Sequence, residues 1–134
     1  MVKKKDSTPM WATQPAEHDY PSAASFLRLI AKPVPVDVLT GLLSQAPTVP
    51  QTAKDILRAA RLPLLPADDP EVAKELKKVT KGKALSPILL VRGELETTRP
   101  LQIADGYHRV CASYHLNEDT PIPCRIVDLP AIAI

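Results

Sequence analysis

The stretch Gln102–Tyr114, QIADGYHRVCASY, decides how the rest of the chain is read. An apolar strand end, Ile103-Ala104, runs straight into Asp105-Gly106-Tyr107-His108-Arg109. Tyr107, Val110, Cys111 and Tyr114 then recur at i, i+3, i+4 and i+7, so a strand turns directly into a helix with one buried face. Asp105 is expected to cap that helix and Gly106 to let the backbone turn tightly, which sets His108 and Arg109 in the first turn. Free N–H groups, partial positive charge, an imidazole and a guanidinium at one helix end make an anion site, and phosphate is the commonest biological anion that suits it.

Outward from this turn the pattern stays legible. Pro87 is followed by Ile88-Leu89-Leu90-Val91, a continuous apolar run of strand length that predicts a central strand buried on both faces. The polar GELETTRP segment returns the chain to Leu101–Ala104 as an antiparallel hairpin with a long tip. After Asn117, Ile122, Cys124 and Ile126 alternate with Arg125 and Val127 in a last strand. Upstream, Asp69 as N-cap and Pro70 at the first helical position open a helix to about Lys81, with Val72, Ala73, Leu76 and Val79 facing inward and Glu75 paired with Lys78. Thr48–Leu65 gives mixed signals, a short strand at Val49-Pro50 and a helical turn at Ala53–Leu57.

Ser22–Ala31 and Val36–Ala46 read as a helical pair joined by Lys32–Pro35, burying Ala23, Phe26, Leu27 and Ile30 on one helix and Leu39, Leu42, Leu43 and Ala46 on the other. A cap on one sheet face is the simplest role for this pair; a lid or a homodimerisation element is the alternative. The expected fold is thus α/β mixed, a small sheet of about four strands flanked by helices with an added N-terminal helical pair. Residues 1–20 are read as a mobile segment in which function is not expected, and 21–134 as one domain, with 21–47 the helical extension and 48–134 the core.

The 134 residues suffice for one domain without staples. Seventeen basic against fifteen acidic side chains, net +2, lack the lopsided charge of a protein built on nucleic-acid phosphate contact. No apolar run is long enough to span a membrane, and the basic start MVKKKDSTPMWATQP lacks a signal peptide's apolar core, so a cytoplasmic protein is expected. Cys111 and Cys124 have no metal-ligand spacing and read as buried thiols in a reducing compartment. Fifteen prolines against four glycines mark element boundaries as stiff joints.

LSPILLVRG, a short loop, LQIADGYHRVCASYHL and IPCRIV together resemble the ParB/sulfiredoxin superfamily, whose members place D-G-x-H-R or G-x-H-R at a strand-to-helix turn; the resemblance runs from about Lys54 to Val127. It implies that the fold is arranged in the ParB/sulfiredoxin manner. It also implies a nucleotide-phosphate site, because the superfamily includes ATP-using sulfiredoxins, CTP-binding partition proteins and small-molecule kinases such as the ADP-dependent serine kinase. A nucleoside di- or triphosphate with Mg2+ is the implied cofactor. In the kinases the motif's aspartate is implicated in activating the substrate hydroxyl, and Asp105 holds that position. Tyr107 stands where sulfiredoxin carries its catalytic cysteine, which argues against sulfiredoxin chemistry. Members also take phosphate contacts from the preceding helix and loop, which points to Lys81, Lys83 and Ser86 among Lys74, Lys77, Lys78, Lys81 and Lys83.

Each candidate has a plainer use. Asp105 is a general base or a helix cap; His108 holds phosphate, shuttles a proton, or is satisfied by a neighbouring carbonyl. Arg109 grips phosphate bidentately, or makes a structural salt bridge to Asp55, Asp68 or Asp69. The lysines complement the helix dipole on a solvated face, and Asp68, Asp69 and Glu71 either approach Mg2+ beside a nucleotide or simply cap. Binding of a nucleotide or phosphorylated small molecule at Asp105–Arg109, with phosphoryl transfer as an open step, is the leading reading. A nucleic-acid-associated protein or nuclease is the second; only a strand's length follows the site, with no helix-turn-helix, and the partition proteins' arginine-rich box is replaced by ADGYHR. The third is a non-catalytic scaffold or regulator in which Arg109 is bound internally.

Overall fold

In a computed structural model that describes residues 8–129, the elements follow the order α1 (Asp19–Leu27), α2 (Pro33–Gln45), β1 (Val49–Thr52), α3 (Ala53–Ala60), α4 (Pro70–Thr80), β2 (Ile88–Val91), β3 (Gln102–Asp105), α5 (Tyr107–Leu116) and β4 (Pro121–Val127). The class is α+β mixed, five helices on a four-stranded sheet among the described residues. Strand order is β1-β4-β2-β3, with β2 antiparallel to β3, parallel to β4, and β4 antiparallel to β1. The apolar run of β2 is buried throughout and occupies an inner position, as its lack of polar alternation predicts.

Side-chain alternation along β2 divides the core in two. Ile88 and Leu90 join Ile103, Ile122 and Cys124 under α3, α4 and α5, while Leu89 and Val91 join Ala104 and Val127 under α1 and α2. The N-terminal helical pair therefore covers a sheet face, the simplest of its expected roles.

β4 is an inner strand that holds Pro121 and Pro123, residues that cannot donate to a ladder. The register explains how: residues 121–124 pair with β1, and β2 is engaged only from Cys124 to Val127. The prolines lie where β4 has one neighbour, so no second strand seeks the N–H groups they lack, and Pro123 faces Pro50.

Several helix details differ from expectation. α1 begins at Asp19, and its buried stripe is Asp19, Ala23, Ala24 and Leu27; Phe26 and Ile30 are exposed, Ile30 because the helix has already ended. On α2, which opens at Pro33 within the expected joint, Val36, Leu39 and Leu43 are buried and Leu42 is exposed. α4 runs as predicted from its Asp69 cap, whose carboxylate accepts the N–H groups of Glu71 and Val72 at 3.1 Å each, but Ala73 faces solvent. The expected mobile start falls partly on residues 1–7, outside the described residues. From Met10 the chain is tied down, with Leu85 N–H donating to Met10 O at 2.7 Å, Ala12 N–H to Leu85 O at 2.8 Å, and Trp11 packed on the core. No helix among the described residues is long and apolar enough to cross a membrane.

Candidate functional site

β3 carries Asp105 to its last position, opposite Leu89, and α5 starts two residues later. Asp105 does not cap α5, contrary to expectation. Gly106 takes the cap position with φ 115°, a left-handed backbone that glycine adopts freely, and no side chain caps the helix. The turn thus comes one residue later than the sequence suggests, and Asp105 Oδ2 instead accepts a hydrogen bond from Arg109 Nη2 at 2.7 Å. Close approach also requires glycine: a Cβ at Gly106 would lie 2.5 Å from Ile88 Cδ1 and 2.8 Å from Arg109 Nη2.

The Arg109 side chain is only 12 % exposed, and its Nη1 lies 3.7 Å from Asp19 Oδ2. Internal salt bridging is therefore real, but the partners are Asp105 and Asp19 rather than Asp55, Asp68 or Asp69. Asp55 lies beside Arg58 and Asp69 is committed to its cap. Asp19, 2 % exposed, also accepts hydrogen bonds from the Ser86 hydroxyl and, at 3.2 Å, from Ala16 N–H. Ser86, expected at a phosphate, is therefore tied to Asp19, and its oxygen further accepts Ala16 N–H at 2.9 Å. Function was not expected before residue 20, yet His18 and Asp19 line the site. No spacing in the sequence relates them to the motif, because the approach is made by packing α1 against β3.

A polar cleft of about 220 Å³ opens at the head of α5, walled by residues 105–109, His18, Asp19, Glu75 and Lys78. Asp105, Gly106, His108 and Arg109 are brought together here as the motif predicts; Lys81 and Lys83 are not, and stand exposed beyond the end of α4. The α4 lysine at the cleft is Lys78, whose Nζ lies 3.5 Å from Glu75 Oε1, the pair expected from their spacing. Glu75 was missed as a site residue, since an i, i+3 partner reads as surface decoration. His108 makes no hydrogen bond to a carbonyl among the described residues; its ring centroid lies 5.5 Å from that of Tyr107. Arg109 Nε and Glu75 Oε1 are buried with no hydrogen-bond partner among the described residues.

Burial raises the Asp105 carboxyl above the ordinary aspartate value, with Asp19 adding to the rise, while Arg109 and the Ser22 hydroxyl oppose it. Cys111 is buried and its thiol is pushed up chiefly by desolvation, which keeps it protonated and unsuited to nucleophilic work. Tyr107 is likewise raised by burial; its hydroxyl donates to Pro63 O and so holds the Pro63 loop against α5. Among the described residues no group of three or more His, Cys, Asp or Glu side chains is placed to hold a metal, and Asp68, Asp69 and Glu71 lie outside the cleft.

No protein-family model, curated protein or solved structure matches this chain, so its reading rests on the site itself.

Proposed function

We propose that the cleft at the head of α5 binds the phosphate of a nucleotide or other phosphorylated small molecule, in the manner that the ParB/sulfiredoxin resemblance implies. One observation carries this reading. The first turn of α5 has no capping side chain and faces a cleft that also holds Lys78 and His108, which makes no hydrogen bond among the described residues. Arg109, held between two carboxylates, contributes positive charge to the cleft wall. At about 220 Å³ the cleft suits a phosphate group, and the rest of a nucleotide would extend over its rim.

In a phosphoryl transfer Asp105, its carboxyl raised by burial, is the base for a substrate hydroxyl, and any Mg2+ carried by the nucleotide would neutralise charge on its phosphates. The two buried, unpaired thiols suit the reducing cytosol.

The test is thermal unfolding of wild type, His108→Ala and Lys78→Ala with pyrophosphate, ATP, ADP, CTP, GTP and short DNA, each with and without Mg2+. A ligand at a hundred times its Kd adds about 2.7 kcal/mol to stability. The proposal expects a shift with pyrophosphate or one nucleotide that shrinks in both variants. Absence of any shift would leave a second reading, favoured by the ion pairs of Arg109 themselves: the motif is a structural hub in a non-catalytic protein. Arg109→Ala would then cost about 3–5 kcal/mol by stranding buried carboxylates, with no ligand effect to lose.

A further inference from the structure

Beyond Val91, at the other end of the β2–β3 ladder from Asp105, a cavity of about 440 Å³ opens between α3 and the hairpin tip. That is twice the volume of the cleft at α5 and within the range of small-molecule sites. Ile56, Leu90, Leu101 and Ile126 give it an apolar lining, and Arg61, Arg92 and Arg99 stand around it with two carboxylates, Asp55 and Glu94.

Both carboxylates are engaged elsewhere. Asp55 lies 3.6 Å from Arg58 and accepts the Thr52 hydroxyl at 3.0 Å; Glu94 accepts the N–H groups of Glu96 at 3.2 Å and Thr97 at 2.7 Å. Arg92 is held through Nε by Asp128 at 2.7 Å. Arg61 and Arg99 make no ion pair among the described residues. Two guanidinium groups therefore border the cavity with no carboxylate at ion-pair distance among the described residues, although Arg99 is near enough to help lower the Glu94 carboxyl.

The walls are built rather than loose. Leu101 N–H donates to Ala59 O at 3.0 Å, tying the tip to α3, and Glu94 N–H donates to Arg99 O at 2.8 Å. Gly93 admits this closure, since a Cβ there would lie 2.4 Å from Arg99 O. Among the described residues, the non-glycine positions with left-handed backbone are Arg61 at φ 57° and Thr98 at φ 60°, one on the cavity wall and one beside Arg99.

We propose that this cavity is a second site, for a small organic anion whose carboxylate or phosphate is gripped by Arg61 and Arg99 and whose apolar body lies on Leu90, Leu101 and Ile126. It is independent of the cleft at α5.

The test is a titration of the 15N-labelled full chain with phenyl phosphate, benzoate and inorganic phosphate, read in amide spectra. Expected are saturable shifts at Gly93, Glu94, Leu101 and Ile126 with at least one aromatic anion, bound at least about tenfold tighter than inorganic phosphate. Arg61→Gln/Arg99→Gln should weaken that binding by about tenfold or more, Arg61→Lys/Arg99→Lys by less, and His108→Ala should leave it unchanged. The Lys pair keeps the charge, so it serves as the check if the Gln pair perturbs folding. Absence of saturable shifts at those amides, or affinity unchanged in both double variants, would overturn the proposal. So would binding of a polyglutamate peptide without either aromatic anion, which would mark a protein-docking face. Shifts confined to residues 106–109 would also overturn it while supporting the phosphate cleft.

Discussion

Arg109 divides its guanidinium between Asp105, one helical turn away, and Asp19, on the first helix of the chain. The i, i+4 spacing to Asp105 is legible in the sequence, but capping is the commoner use of an aspartate before a helix, and the sequence reading assigns it there. Asp19 carries no local signal at all, because its burial depends on Arg109, Ser86 and Ala16 meeting it in space. Cys124 gives a residue-scale prediction. Burial raises its thiol from 9.0 to about 12, and Sγ–H donates to Ile122 O at 3.2 Å. The folded state holds the thiol proton more tightly than the unfolded chain, so this contribution is fully present below pH about 9 and is lost as pH rises toward about 12. The loss amounts to at most about 4 kcal/mol. Urea unfolding at a series of alkaline pH values should show wild-type stability falling faster than that of Cys124→Ala. Parallel curves would contradict the assignment.

Helices and strands were legible in proportion to how local their causes are. α4 announces itself with Asp69 and Pro70 and begins where predicted, and β2 follows from an unbroken apolar run. α1 is less legible, because a short helix with small residues supports more than one phase; Ala23 and Leu27 face inward as the period predicts, while Phe26 faces outward against it. At the β3–α5 junction Gly106 is left-handed, and a Cβ there would force the ends of the Ile88 and Arg109 side chains to shift. Gly106→Ala is expected to cost about 2–3 kcal/mol, through backbone strain and displacement of the Arg109 fork. Guanidinium chloride unfolding measures the loss. Restoration of stability by any second substitution that leaves the φ 115° turn in place would show that the side-chain clash, not the backbone, dominates.

Across the whole molecule the sheet has a hydrophobic cluster on each face, and neighbouring residues of β2 belong to different ones. If the helical pair is an integral layer, Leu89→Ala, under α1 and α2, should destabilise the protein as much as Leu90→Ala, under the other three helices. Each is expected to cost about 2–5 kcal/mol, since both side chains are fully buried. Calorimetric unfolding checks this, and a loss below about 1 kcal/mol for Leu89→Ala alone would mark α1 and α2 as loosely docked. The sequence by itself determined the kinds of element, the central place of β2, the hairpin and the turn that gathers Asp105, Gly106, His108 and Arg109, because periodicity, caps and glycine act over a few residues. Only the tertiary structure decided which helices cover which face and how β4 accommodates its prolines by changing neighbours along its length. It alone brought Asp19 and Lys78 to the motif while leaving Lys81 and Lys83 in solvent, and opened the arginine-rimmed cavity beyond Val91. Such contacts join residues far apart in the chain, and their geometry exists only once the sheet order and both helical layers are in place.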